Sequence, residues 1–287
     1  MNDYVIISPV RNEEEYIEKT ILSVINQRVK PKEWIIVNDG STDRTPEIIN
    51  KYASEYTWIR RIDRPTNDHR PGPGVVLAFY QGYENIDTKT FDYVVKLDGD
   101  LSFEPDYFHF QLKEFETNPK LGMTSGTTYN VFGEKLVKDK MPEDHVRGAA
   151  KMYRKTCFDQ IGGIQVVLGW DTLDELKAQM LGWETRSYPH LVLKHYKPIG
   201  FKQKKTIKRE MLAGERLNYL GYHPLFAVLK CFYNFKRKPF LVGGALMLTG
   251  YLGAIITGRE KNPDREMIKF YRRKQMKRLS AMVGFSK

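Results

Sequence analysis

Residues 33–43 read EWIIVNDGSTD, a β-branched run that stops abruptly in a polar, acidic turn. Glu33–Asn38 has the length and apolarity of a strand buried on both faces, with Asn38-Asp39-Gly40-Ser41-Thr42-Asp43 beyond its carboxyl end. A second such run, Tyr4–Ser8, precedes it and leads into Pro9-Val10-Arg11-Asn12-Glu13. Between them, Glu13–Gln27 places Tyr16, Ile17, Ile21, Leu22, Val24 and Ile25 at near-helical spacing, with acids at its start to complement the helix dipole. Strand, helix, strand opens a βαβ unit. The pattern continues: Ser41-Thr42-Asp43 can cap a helix over Pro46–Tyr52, Trp58–Ile62 reads as a third strand and Phe91–Leu97 (FDYVVKL) as a fourth. An α/β doubly wound sheet follows, and such sheets bind ligands beyond the carboxyl ends of their strands.

Polar and acidic residues gather at those ends. The fourth strand runs into Asp98-Gly99-Asp100, where two carboxylates flanking a tight turn can converge on one hard divalent cation able to neutralise a diphosphate. Taken alone, Asp98-Gly99-Asp100 is also a good plain turn. No GxGxxG follows the first strand and no GxxxxGK[ST] occurs, so dinucleotide and P-loop modes lack their phosphate-cradling glycines.

Pro9–Glu13, then Val37–Asp43, then Leu97–Asp100 resemble, in order and spacing, the signature of non-processive family 2 glycosyltransferases with the GT-A fold, across roughly residues 4–195. The resemblance implies a Rossmann-like, mostly parallel central sheet flanked by helices. It also implies a nucleotide-diphosphate sugar as donor, with Asp39 on the base and Pro9, Arg11 and Glu13 lining the pocket. Arg70, in the glycine- and proline-rich stretch 67–74, is a further candidate there. By the same resemblance Asp98 and Asp100 would be the DxD pair holding Mg2+ or Mn2+ on the diphosphate, and His195, after the strand Ser187–Leu193, a third ligand. The resemblance implies a catalytic base in an acidic pair opening a helix. Counting back from Gly182 puts Asp171 at that position, with Trp170 where the family usually has Glu. Asp174 and Glu175 share its helical face and remain alternatives. The segment His145–Arg154, followed by Ile161-Gly162-Gly163, resembles the acceptor side.

The 287 residues, 41% hydrophobic and 28% charged, suffice for one large domain or two small ones and exclude a disordered or disulfide-stapled chain. Cys157 and Cys231 lack a CxxC partner or neighbouring histidines, consistent with a reducing compartment. Tyr4–Ile7 is too short for a signal peptide, so the chain is expected to begin in the cytosol.

The formal charge of +11 is uneven: residues 194–287 hold 22 Lys/Arg and 5 Asp/Glu, against 24 and 30 before them. The expected division is a catalytic domain over 1–195 and a mainly α-helical, basic and apolar region over 196–287. From KQKKTIKRE (202–210) onward come HPLFAVLKCFYNF (223–235), Lys236-Arg237-Lys238, the uncharged run Pro239–Gly258 and the basic helix pattern Asp264–Leu279. Charge and apolarity together point to an anionic membrane surface at its cytoplasmic face, met by a peripheral, re-entrant or single-pass segment. A nucleic-acid groove would be less aliphatic, so no nucleic-acid partner is expected. With one apolar run and no QxxRW-type segment, the expectation is transfer of a single sugar to a lipid-linked or glycan acceptor in cell-surface polysaccharide synthesis. The competing readings are a nucleotidyltransferase acting on sugar phosphates and a non-catalytic membrane-bound scaffold.

Overall fold

The computed structural model describes residues 3–64, 73–197, 207–235 and 241–282, and the chain divides into two compact units, Met1–Pro198 and Ile199–Lys287. Arg70, the lysines at 202–205 and the Lys236–Lys238 cluster lie outside the described residues.

The first unit opens with the sequence-predicted alternation: β1 Tyr4–Val10, α1 Ile17–Ile25, β2 Glu33–Asn38, α2 Thr45–Glu55 and β3 Ile59–Asp63. It continues with α3 Pro73–Glu84, β4 Tyr93–Leu97, β5 Leu101–Phe103, α4 Tyr107–Thr117, β6 Leu121–Phe132, β7 Lys135–Lys138, β8 Ala150–Arg154, α5 Lys155–Gln160, α6 Trp170–Met180 and β9 Glu184–His195. One sheet runs in the order β3-β2-β1-β4-β8-β6-β9-β5, with β7 paired to β6. Its first four strands are mutually parallel, as βαβ crossovers require. Beyond β4 the sheet is mixed: β8 is antiparallel to both β4 and β6, β6 is parallel to β9, and β9 is antiparallel to β5.

Two apolar layers explain why β1 and β2 read as continuous hydrophobic runs. Tyr4 and Ile6 pack with Trp34 and Ile36 under α1, α2 and α4, whereas Val5 and Ile7 pack with Ile35 and Val37 under α3. A strand covered on both faces buries alternate residues in opposite layers, so neither parity is left polar. The strand expected to end at Leu193 runs on to His195, because its last residues pair with β5 in the register Leu101↔His195 and Phe103↔Leu193.

The second unit holds α7 Ile207–Tyr219, α8 Pro224–Asn234, α9 Val242–Ile256 and α10 Arg265–Met282. The uncharged run of 20 residues yields a helix of 15, and no described helix is long and apolar enough to cross a membrane. α7 and α9 touch backbone to backbone at two glycines. A Cβ on Gly214 would lie 1.9 Å from the Met247 carbonyl oxygen, and one on Gly250 would lie 2.1 Å from that of Met211. Gly250→Leu should therefore force the helices apart and cost about 1–3 kcal/mol or more. Trp34, Trp58, Trp170 and Trp183 all belong to the first unit. The loss is expected in the urea transition followed by far-UV circular dichroism, with the tryptophan-fluorescence transition unmoved.

Candidate functional site

The loops after β1 and β2 are stitched together by side chains that the turn sequences supply. The Asn12 amide donates to Ser41 Oγ at 3.0 Å and the Thr42 amide to Asn12 Oδ1 at 2.8 Å. The Glu13 amide donates to Thr45 Oγ1 at 2.8 Å and the Glu14 amide to Asp43 Oδ2 at 3.1 Å. Asn12 takes a left-handed backbone (φ 51°), a conformation that asparagine tolerates. Asp39 is partly buried at the end of β2; its amide donates to the Val10 carbonyl at 2.9 Å and its carboxylate accepts from Arg64 Nη1 at 2.8 Å. Pro9, within β1, and Arg11, just beyond its end, are partly buried as well. Arg64, just past β3, was not singled out in the sequence; its position at the carboxyl end of a strand in a parallel sheet was the available signal.

Asp98, Asp100 and His195 converge, each offering a ligand atom within 4.8 Å of the others. His195 Nε2 lies 3.1 Å from Asp100 Oδ2, whose side chain is 8% exposed, while Asp98, with 31% of its side chain exposed, faces the opening. Burial pushes the Asp98 carboxyl up; the Lys96 ammonium opposes this and the neighbouring Asp100 charge reinforces it. Among the described residues, His195 Nδ1 is buried without a hydrogen-bond partner, as is Glu13 Oε2. Burial, reinforced by Asp100, holds the Glu13 carboxyl up at about 7 even though Lys197 Nζ sits 2.9 Å from its other oxygen. Two crowded carboxylates, an imidazole and orphaned polar atoms make a donor set that fits Mg2+ or Mn2+.

A third group of acids sits on α6, whose N-cap Gly169 is left-handed (φ 90°). Asp171 occupies the first turn and is partly exposed. Asp174 and Glu175 turn inward instead. The Asp174 side chain is 0% exposed and accepts from Lys151 Nζ at 3.0 and 3.1 Å and from Tyr153 Oη at 2.5 Å. Burial pushes its carboxyl up to about 7. Glu175 accepts from Lys151 at 3.1 Å and from the Val146 amide at 2.8 Å, and lies 3.0 Å from His145 Nδ1. The shared helical face inferred from i, i+3, i+4 spacing therefore divides: the first turn opens to solvent and the next is bolted to β8.

Gly148 joins this helix to β4. Its carbonyl accepts from Lys96 Nζ at 2.9 Å, and a Cβ there would lie 2.7 Å from Trp170 Cη2 and 3.2 Å from Asp171 Cβ. Trp170, in place of the expected Glu, has the Lys96 and Lys151 ammonium groups 5.4 and 5.6 Å from its ring. Arg147 lies within electrostatic reach of both Asp171 and Asp98.

The family model described as "Glycosyl transferase family 2" matches residues 5–167. The chondroitin synthase of Pasteurella multocida (strain Pm70) is 33% identical over 123 residues, 43% of this chain and 12% of that protein. The poly-beta-1,6-N-acetyl-D-glucosamine synthase of Staphylococcus epidermidis is 33% identical over 115 residues, 40% of this chain and 26% of that protein. The chain thus spans only a minor part of these curated relatives. The mannosyltransferase PcManGT from Pyrobaculum calidifontis, solved in complex with GDP-Man and Mn2+, superposes with a TM-score of 0.56 at 15% identity, over 98% of this chain and 86% of that one. Residues 1–349 of TarS from S. aureus give a TM-score of 0.56 at 17% identity, over 98% and 92%. These likenesses show the GT-A fold. With its family match spanning more than half of the sequence, the chain belongs to glycosyl transferase family 2.

Proposed function

We propose that the protein is an inverting, metal-dependent transferase that moves one sugar from a nucleotide-diphosphate sugar to an acceptor, a lipid-linked glycan at the cytoplasmic face of a membrane. The observation that carries this reading is the junction at Gly148, which sets the partly exposed Asp171 beside the strand that bears Asp98 and Asp100. Related folds have been solved with GDP-Man and Mn2+ and with UDP-GlcNAc, which supports a nucleotide-diphosphate donor.

In this reading Asp39, Pro9, Arg11 and Glu13 line the donor pocket; Arg70, also proposed there, lies outside the described residues. Asp98, Asp100 and His195 would hold the divalent cation, which when bound offsets charge on the departing diphosphate. Asp171 takes the proton from the acceptor hydroxyl as that oxygen attacks the anomeric carbon. The bond from this carbon to the diphosphate oxygen breaks on the opposite face, releasing the nucleoside diphosphate and inverting the configuration. Asp171 fits the role better than Asp174, whose oxygens are enclosed by Lys151 and Tyr153. Asp171→Asn should lower kcat by roughly 10²–10⁴-fold while leaving the donor dissociation constant within about twofold. Parallel turnover and nucleotide-sugar titration check both quantities, and wild-type turnover would exclude the assignment.

Chelation with EDTA should abolish turnover, and Mn2+ or Mg2+ should restore it in the wild type but not in Asp100→Ala. A thermal-shift series of UDP- and GDP-sugars with Mn2+ identifies the donor, because a ligand that binds only the folded state raises its melting temperature.

Membrane association is proposed through the second unit. Leu225, Leu229 and Phe232 on α8 and Val242, Leu252 and Ile256 on α9 are exposed at helical spacing, and α10 exposes Lys269, Arg273 and Lys277. Such faces suit a helical pair lying in the headgroup boundary, with basic residues on anionic lipid. The 287-residue chain should float with vesicles containing anionic phosphatidylglycerol and much less with neutral ones. Leu229→Glu together with Leu252→Glu should abolish flotation.

A further inference from the structure

The apolar strand Tyr93–Leu97 carries one charge, Lys96, whose ammonium is almost completely enclosed. Its register partner on β8 is Lys151, so two buried lysines stand directly opposite each other on neighbouring strands. Like charges in that position repel, and each needs a counter-ion of its own. Lys151 has Asp174 and Glu175. Lys96 has only Asp98 as a charged partner among the described residues, together with the Gly148 carbonyl at 2.9 Å and the Trp170 ring at 5.4 Å. The ammonium that neutralises Asp98 is therefore fixed against it and, at 3% exposed, shut off from solvent.

We propose that Lys96 is a built-in counter-cation of the Asp98–Asp100–His195 cluster, which weakens its hold on a bare divalent ion so that the ion is retained together with a nucleoside diphosphate. The inference rests on the proposed metal role of Asp98 and Asp100. The charges near the cluster support it. Glu13 is matched by Lys197, so it adds little attraction for a cation. Of the two remaining carboxylates, Asp98 shares its charge with Lys96. A divalent ion entering alone meets close to one net negative charge, at short range from a fixed positive one in a poorly solvated interior. Bound to a diphosphate, the same ion brings its own anionic ligands, and the total charge no longer opposes it. Lys96 is thus a positioning residue that acts through Asp98.

The test is Mn2+ binding itself, followed through the electron paramagnetic resonance signal of the free aqueous ion titrated against the 287-residue chain, with and without UDP or GDP. Wild type should bind weakly alone and at least tenfold more tightly with the matching nucleotide. Lys96→Met and Lys96→Gln should each tighten nucleotide-free Mn2+ binding at least tenfold and shrink the nucleotide effect accordingly. The glutamine variant keeps a donor for the Gly148 carbonyl, so tightening in Met alone would assign the effect to hydrogen bonding and overturn the charge argument. Unchanged Mn2+ affinity in both variants, with native circular dichroism, also overturns it. Absence of Mn2+ binding in every protein, even with nucleotide, would remove the metal reading together with this one.

Discussion

A buried ammonium group must have a carboxylate or carbonyl within reach, and that requirement organises the centre of this protein. Lys96 and Lys151 face each other across β4 and β8 on the side of the sheet that Trp170 covers. Neither can be solvated there, so each recruits acids: Asp98 from the end of its own strand, Asp174 and Glu175 from α6. The second recruitment fixes α6 against β8, and the Lys151 hydrogen bond of 2.8 Å to the Asp171 carbonyl sets where that helix begins. The position of the proposed base and the state of the proposed metal pair are thus two consequences of one pairing problem.

The mixed half of the sheet completes the site. Parallel strands β1, β2, β3 and β4 deliver their loops to one edge, as crossover connections dictate. β9 returns beside β6 and ends against β5, bringing His195 and Lys197 to Asp100 and Glu13 across more than ninety residues of chain. The stacking of Tyr196 on Tyr16, with ring centroids 5.4 Å apart, ties that strand end to the loop after β1. Rigid strands and side-chain stitches, rather than long loops, hold the geometry, which suits a site that must place a hydroxyl and an anomeric carbon at bonding distance.

The second unit follows a different rule. α7 and α9 approach so closely that glycine is required at Gly214 and Gly250, while α8 and α9 also carry large exposed apolar side chains. The uncharged run looked long enough to span a bilayer when counted as residues. Folded, it gives a 15-residue helix with Gly244 and Gly250 turned toward neighbouring helices.

The sequence by itself determined the βαβ opening, the polar strand ends and the Asp98–Asp100 pair, because continuous apolar runs and adjacent turn residues are local properties of the chain. It also carried the family resemblance that placed Asp171. Only the tertiary structure separated Asp171 from Asp174 and Glu175, since helical spacing says which residues share a face and not how deeply each turn is buried. The same holds for Lys96 and Lys151, which look unremarkable as letters in YVVKL and AKMYR. Their meaning comes from a strand register that pairs residues 96 and 151, and that register is fixed by long-range packing that no local pattern encodes.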